Sequence, residues 1–232
     1  MQSIYTGKNR LLRALPQDGL DRFYAALEPV SLTLRQVVQE ASTPNEHVYF
    51  LEDGVGSILT IMTDGSSIEV GMVGNEGMIG VTALLDADAA AQHVIIQVPG
   101  DAMRMPVALC RSVFNESAAV REVLLRFAGN LLNVSAQTAA CNRLHTIEQR
   151  CARWLLMAYD RVKIDTMPMT HEFLASMLGV RRAGVTTAAA ELQRSGLISY
   201  RQREITILDP EGLKALACEC YHVDHERLAR RV

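Results

Sequence analysis

The chain has 232 residues, 49% of them hydrophobic, which is enough for one large or two small domains with real cores. Its net charge of −3 is unevenly shared: residues 1–140 carry 9 Lys+Arg against 15 Asp+Glu, a balance of −6, and residues 141–232 carry 14 against 11, a balance of +3. That split predicts an acidic module followed by one that tolerates a polyanion. No stretch reaches the roughly 18 apolar residues of a membrane span, and "MQSIYTGKNRLLRALPQDGL" has no apolar core of signal-peptide length. The five cysteines (Cys110, Cys141, Cys151, Cys218, Cys220) are odd in number and form no CxxC pair, so the expectation is a reduced, cytoplasmic protein.

Residues 8–28 have helical spacing, with Leu11, Leu12 and Leu15 separated by Pro16 from Leu20, Phe23, Tyr24 and Leu27. From Val30 to Pro106 short β-rich runs alternate with Gly and Asp turns: "HVYFLEDG", "GSILTIMTDG", "SSIEVGMVGNEG" and "QHVIIQVPG". Asp53-Gly54 and Asp64-Gly65 are hairpin signals, and strands at this spacing predict a compact sandwich or β-roll. Residues 111–142 contain no Pro and a single Gly. There Val120, Leu124, Phe127, Leu131, Val134, Thr138 and Cys141 recur at alternating spacings of four and three, a heptad period that predicts a seam between two helices of a dimer. A second apolar row, Leu125, Ala128, Leu132 and Ala136, lies beside it; one row can pack on the β module and the other on a twin helix. "HTIEQRCARWLLMAYDRV", residues 145–162, is a further amphipathic helix, followed by a short loop, "KIDTMP".

"LASMLGVRRAGVT", residues 174–186, has the look of an interrupted helix. Counted from His171 as position one, apolar residues fall at four (Leu174), eight (Leu178), ten (Val180), fifteen (Val185) and eighteen (Ala188). Small Ala175 stands at five and Gly179 at nine. This is helix-turn-helix spacing: the small residue lets the helices cross closely, and the glycine supplies the turn's positive φ. Thr170 is the expected N-cap. "GLISYRQREITIL" then reads as strand, tight turn, strand, a wing carrying Arg201 and Arg203.

Arg181 and Arg182 open the second helix, where a cation is unfavourable by roughly 0.3–1 kcal/mol unless an anion offsets it. Nucleic-acid phosphate or guanine would do so; a solvated surface pair is the plainer alternative. The next turn is nearly bare (Ala183, Gly184, Thr186, Thr187), which allows close approach to a groove and methyl contact with thymine. Gly184 costs about 1 kcal/mol in a helix, explained equally by close DNA or by close packing on the wing.

With these pieces in place the chain resembles the Crp/Fnr family of bacterial transcription regulators. The resemblance covers nearly the whole length, and its most specific parts are "FLASMLGVRRAGVTTAAAELQRSGLI" and "VGNEGMIGVTALL", the latter similar to the family's ligand cassette. It implies an α+β protein of three parts. These are a β-roll (double-stranded β-helix) sensor domain over 1–110, a dimerisation helix over 111–142, and a winged helix-turn-helix DNA-binding domain with a helical tail over 143–232. It further implies a homodimer on a roughly palindromic double-stranded DNA site, with recognition helices about 34–36 Å apart, and RNA polymerase as a partner. The candidate DNA-binding residues are Thr170, Arg181, Arg182, Ala183, Thr186, Thr187, Arg201 and Arg203. The ligand-pocket candidates are Gly77, Met78, Ile79, Gly80, Val81, Thr82 and Gln92.

Two departures from the family pattern matter. Cyclic-nucleotide members carry a Glu just after the cassette glycine and an Arg-Ser/Thr pair about ten residues on. Here Val81 follows Gly80, and Ala91-Gln92 stand at the pair. From Gln36 to Met103 there is no Lys or Arg, while ten acids occur. A buried cyclic phosphate would meet repulsion only, so cyclic AMP is not expected. In the reading helix Arg182 is kept, but Ala183 and Thr187 replace the family's Glu and second Arg, which predicts a different operator.

The C-terminal "CECYHVDHERLARRV" gathers possible soft-metal ligands, and on a continuous helix Cys218, His222 and His225 would share a face with Cys220 pointing elsewhere. An incidental surface helix is the plainer reading, and no cofactor is assigned. Residues 30–106 hold only His47 and His93, too few for a metal-dependent β-barrel enzyme, and triads and P-loops have no local signature; no enzymatic activity is expected. A redox- or metal-responsive sensor, or an interaction module whose winged helix does not serve specific DNA binding, is the competing reading.

Overall fold

The computed structural model describes residues 5–16, 20–85 and 92–229. Two compact units are present: one from 5–58 and 72–133, the other from 59–71 and 134–229.

In the first unit two short helices, α1 (Arg10–Ala14) and α2 (Asp21–Ala25), precede the strands, as the Pro16 break predicts. Asn9 caps α1 by accepting from the Leu12 amide at 2.9 Å. Its side-chain amide donates to the Leu51 and Gly77 carbonyls at 2.8 Å each, so this fully buried polar group is satisfied. Eight strands follow along the chain, with the end of β4 and most of β5 belonging to the second unit: β1 (Glu28–Leu32), β2 (Val37–Gln39), β3 (His47–Leu51), β4 (Val55–Ile61), β5 (Ser67–Val73), β6 (Met78–Ile79), β7 (His93–Val98) and β8 (Gly100–Pro106). They form two four-stranded sheets, ordered β1-β8-β3-β6 and β2-β7-β4-β5, the sandwich-like roll expected from the strand spacing. β8 is flanked by β1 and β3 in antiparallel register, with Met103 opposite Pro29 and Phe50.

The two Asp-Gly turns prove different. Gly65 adopts φ +81° and closes the β4–β5 hairpin, with the Met62 amide donating to Ser66 at 2.8 Å. Gly54 also has positive φ (+80°), but Asp53-Gly54 joins β3 in one sheet to β4 in the other, so it is a sheet-switching corner and not a hairpin. A Cβ on Gly54 would lie 2.6 Å from the Val98 carbonyl oxygen, so the glycine is required by the neighbouring β7–β8 link as well as by its φ.

Residues 111–142 are not one helix. α3 (Val107–Glu116) stops at Ser117, which is extended (φ −107°, ψ 112°), and α4 runs Ala118–Leu144. Ser117 Oγ accepts from the Val120 amide at 3.3 Å, so its hydroxyl offers the new helix a cap that a run without Pro or Gly does not advertise.

The heptad row expected to form the dimer seam is covered by this chain's own residues. In the first unit Val120, Leu124 and Phe127 belong to the main core with Phe23, Phe50 and Met105, and Leu131 packs against it. In the second unit Val134, Thr138 and Cys141 are buried; Thr138 Oγ1 accepts from Arg153, and Cys141 lies against Cys218. A 3.5-residue period specifies a stripe, and here that stripe is filled from within. The outward row is Leu125, Gly129, Leu132, Ala136 and Ala139, with Leu125 45% and Leu132 71% exposed.

The second unit continues with α5 (Ile147–Val162), which opens on a capping box. Thr146 Oγ1 accepts from the Gln149 amide, and the Gln149 side chain accepts from the Thr146 amide. Every residue from Arg150 to Ala158 is buried, so the middle of this helix is covered all round and not on one face as an amphipathic pattern predicts. Next come β9 (Thr166–Pro168), α6 (His171–Leu178), α7 (Arg182–Arg194), β10 (Ile198–Arg201), β11 (Glu204–Ile207), α8 (Pro210–Leu216) and α9 (Glu219–Ala229). "KIDTMP", read as loop, contributes β9, which pairs antiparallel with β11 so that Met167 faces Ile205; three residues are too short to show a period. Arg153 of α5 and Asp224 of α9 form a buried ion pair at 2.6 Å, and Arg153 also donates to Thr138 at 2.9 Å.

Candidate DNA-binding surface

The elbow is built as its spacing requires. Thr170 Oγ1 accepts from the Phe173 amide at 3.1 Å and caps α6. Gly179, at φ +60° and ψ 40°, ends α6 in the left-handed region, where its amide reaches back to the carbonyls of the last turn. Arg150 of α5 donates to the Leu178 carbonyl, placing a buried cation at the negative end of α6. Leu174, Ala175, Leu178, Val185 and Ala188 are buried, as the helix-turn-helix count requires, whereas Val180 at position ten is only partly buried.

What remains outside is the face opened by the arginines. Arg181 is the N-cap residue of α7 and Arg182 its first residue, and both are exposed. Arg182 makes a loose contact with Glu172, Nη1 to Oε1 at 3.7 Å, with the two side chains 66% and 76% exposed. A pair so open to solvent contributes about 0–1 kcal/mol, so exchanging it for a phosphate or base costs little. Ala183, Thr186 and Thr187 continue the exposed face. Each threonine hydroxyl bonds back to a carbonyl four residues earlier, Thr186 to Arg182 at 3.1 Å and Thr187 to Ala183 at 3.2 Å. With the hydroxyl protons committed, the methyl groups and the acceptor side of the oxygens are left for contact. A Cβ on Gly184 would lie 2.8 Å from Ile147 Cδ1 of α5, the mobile tip of a side chain that can give way, so this packing does not by itself require the glycine and the wing is not its neighbour.

The wing is β10 and β11 joined by Gln202-Arg203, both at positive φ (+52° and +67°), the signature of a tight two-residue hairpin. Ile205 and Ile207 point inward, while Arg201 and Arg203 are exposed. Gln193 of α7 fixes the wing to the recognition helix by accepting from the Tyr200 amide at 2.8 Å.

His171, position one of the motif, is partly buried. Its ring stacks on Tyr200 with centroids 4.2 Å apart, and its Nδ1 lies 3.0 Å from Thr186 Oγ1. Because that hydroxyl donates to Arg182, the histidine donates and the threonine accepts. Burial, followed by the nearby Arg182, holds the imidazole below its ordinary pKa, so the neutral ring is favoured. His171 thus links helix, elbow and wing; only its position one in the motif hinted at this.

In the β-roll, Gly77, Met78, Ile79, Gly80 and Val81 are buried, and Thr82 is partly so. Gln92 is half-buried and its carbonyl accepts from Gln39 at 3.1 Å; Ala91 lies outside the described residues. The cassette's groups are already engaged. The Gly77 amide donates to Gly74 at 3.2 Å, its carbonyl accepts from Asn9, and a Cβ on Gly77 would meet the Phe127 ring at 2.2 Å. Arg111, from outside the cation-free stretch, donates to the Ala83 carbonyl at 3.1 Å.

The C-terminal ligands group differently from the helical reading. Cys218 lies before the first turn of α9, so Cys218 and Cys220 converge instead of diverging as i and i+2 do inside a helix. They meet Cys141 and His145 at the end of α4, and the four candidate ligand atoms lie within 4.8 Å of one another. Cys141 Sγ and Cys218 Sγ lie 3.5 Å apart, close enough to share one proton. His222 and His225 are not members; their rings lie beside Tyr221.

Comparison with known proteins agrees with this geometry. Residues 149–216 match the model of the Crp-like helix-turn-helix domain. The global nitrogen regulator of Synechococcus elongatus is 22% identical over 180 residues, covering 73% of this chain and 81% of that protein. Among solved structures, FixK2 from Bradyrhizobium japonicum superposes with a TM-score of 0.70 at 16% identity, covering 83% of this chain and 98% of the other. TTHA1359, a Crp/Fnr family transcriptional regulator from Thermus thermophilus, gives 0.67 at 21% identity, covering 82% and 98%. The fold is therefore that of Crp/Fnr proteins. Together the domain match and the curated relatives support a Crp/Fnr family transcription regulator with a helix-turn-helix DNA-binding domain.

Proposed function

We propose that the protein acts as a homodimeric, sequence-specific DNA-binding regulator whose β-roll does not clamp a cyclic nucleotide phosphate. The observation that carries this reading is the outward face of α7. Two exposed guanidinium groups at its start, one held only by a loose surface contact, are followed by small residues and threonine methyls. The wing adds Arg201 and Arg203 beside it. Arg182 reads a guanine edge, Ala183, Thr186 and Thr187 approach the groove, and Thr170, Arg181, Arg201 and Arg203 grip phosphate. RNA polymerase is the further partner in this reading, and the cytoplasm its location. Among the described residues no helix is long and apolar enough to cross a membrane.

Dimerisation is assigned to the outward row of α4. A Cβ on Gly129 would meet nothing within 4 Å, so its helix-weakening cost of about 1 kcal/mol has no explanation inside the chain. A partner helix crossing at Gly129, between Leu125 and Leu132, supplies one. The absence of a phosphate clamp rests on the cation-free stretch from Gln36 to Met103 and on the engaged amide and ring-filled flank of Gly77.

Selection of duplexes from a random pool by the purified full-length protein tests the reading. The expected product is an inverted repeat with half-sites one helical turn apart, or a multiple of that. No enrichment over competitor DNA refutes it and favours a module whose winged helix serves other contacts. Calorimetric titration with cyclic AMP is expected to show no binding.

A further inference from the structure

We propose that Cys141, His145, Cys218 and Cys220 bind one divalent metal ion of the zinc class in a tetrahedral site of three sulfurs and one nitrogen. The ion ties the helix that enters the winged helix-turn-helix to the helix that leaves it.

The site is assembled by two local devices. Cys141 and His145 are four residues apart at the end of α4, and the His145 amide still donates to the Cys141 carbonyl at 3.2 Å, so both side chains stack on one face. Cys218 and Cys220 bracket the start of α9, where the chain has not yet entered the helix. All three cysteines are buried and free of disulfide. Cys141 Sγ is 3.5 Å from Cys218 Sγ, and Cys220 Sγ is 3.7 Å from His145 Nδ1.

These spacings select the occupant. Zinc with bonds of about 2.3 Å to sulfur and about 2.0–2.1 Å to nitrogen separates its ligand atoms by about 3.5–3.8 Å along the tetrahedron's edges. The Cys141–Cys218 sulfurs, at 3.5 Å, lie about 0.3 Å inside the sulfur–sulfur edge, Cys220 Sγ at 3.7 Å from His145 Nδ1 lies about 0.1–0.2 Å outside the sulfur–nitrogen edge, and no separation exceeds 4.8 Å, so the set closes on an ion with a modest side-chain shift. A four-iron cube places its thiolates on separate metal atoms, farther apart than this group reaches. The thiolate-rich set disfavours magnesium and calcium, which take oxygen ligands.

The surroundings are those of a metal centre. With His145 Nδ1 turned to the sulfurs, its Nε2 faces Glu219 at 3.2 Å, the carboxylate that orients a ligating imidazole. Gln137 donates to Cys220 Sγ at 3.1 Å. Three thiolates and a dication leave one negative charge, and two buried guanidinium groups of α5, Arg150 and Arg153, interact electrostatically with Cys141. Each keeps an Nε with no hydrogen-bond partner among the described residues. His222 and His225 take no part.

The full-length protein, purified under reducing conditions and dialysed, is expected to retain about one zinc per chain by elemental analysis. Exchange with cobalt(II) should give thiolate-to-metal charge transfer and the strong d–d bands of a tetrahedral centre. Cys218→Ser with Cys220→Ser should abolish both, whereas His222→Ala with His225→Ala should leave them unchanged. The cobalt spectrum of the unmodified chain reads the site even if the cysteine variant fails to fold. Less than a tenth of an equivalent of metal together with no charge-transfer band overturns the proposal. So does undiminished zinc in the double-serine protein, or stoichiometric iron and sulfide after anaerobic purification.

Discussion

Replacing Leu132 by Asp separates the two apolar rows of α4. Leu132 is 71% exposed in the single chain, and burying a whole leucine side chain stabilises by about 1.5–3 kcal/mol. Covering the exposed share is therefore worth about 1–2 kcal/mol per protomer. Twofold symmetry doubles this to about 2–4 kcal/mol per dimer, or roughly 30- to 700-fold in the dimer dissociation constant. The variant also sets two carboxylates against each other near the axis, which adds repulsion and makes the loss larger. Sedimentation velocity over a dilution series measures the constant, and circular dichroism checks that the helices persist. Leu124→Ala is the contrasting change. Leu124 is only 1% exposed, so its truncation should cost about 2–5 kcal/mol of folding stability instead. If Leu132→Asp dimerises like the unmodified chain while Leu124→Ala dissociates it without loss of folding stability, the assignment of the rows is wrong.

Arg182→Ala should cost about 1–3 kcal/mol of discrimination at one base pair, read by competition among single-base variants of the selected site; equal weakening on every sequence would remove its reading role. His171 is held neutral by burial and by Arg182, so its folded pKa lies below the unfolded value of about 6.5. Its contribution is complete above pH 6.5 and declines as the pH falls toward the folded value, because the unfolded chain takes up a proton that the folded elbow resists. Thermal melts from pH 7.5 to 5.5 should show this decline, and His171→Phe should shrink it; an unchanged slope contradicts the account. Asp224→Ala leaves Arg153 buried without its carboxylate and should cost about 3–5 kcal/mol in urea unfolding. A loss under 1 kcal/mol would show that Thr138 and water suffice for that guanidinium.

Periodic features were legible in the sequence. The helix-turn-helix count placed Leu174, Ala175, Leu178, Gly179, Val185 and Ala188 where they are found, because a glycine-hinged elbow tolerates few residue types at those positions. The wing followed from its alternating isoleucines. Features that depend on a single hydrogen bond or on tertiary company were not legible. Ser117 divides the long helix by one capping bond, and Asp53-Gly54 is spelled like Asp64-Gly65 but turns a corner between sheets. The heptad in α4 was visible, yet its spacing does not say whether the covering surface belongs to the same chain. The cysteine and histidine cluster escaped for a related reason. Its members lie on two segments more than seventy residues apart, and the decisive detail is that Cys218 precedes the first turn of α9.

The wing tip holds Gln202 and Arg203 in left-handed backbone, a conformation that asparagine and glycine adopt at far lower cost. A tip optimised for folding alone would carry Asn-Gly. Retaining an arginine there sacrifices some robustness for a charge held at the far end of a stiff ribbon. Thermotolerance and grip on the double helix should thus move in opposite directions at this residue: Arg203→Gly raises the melting temperature while lessening affinity evenly across sequences and flattening its salt dependence.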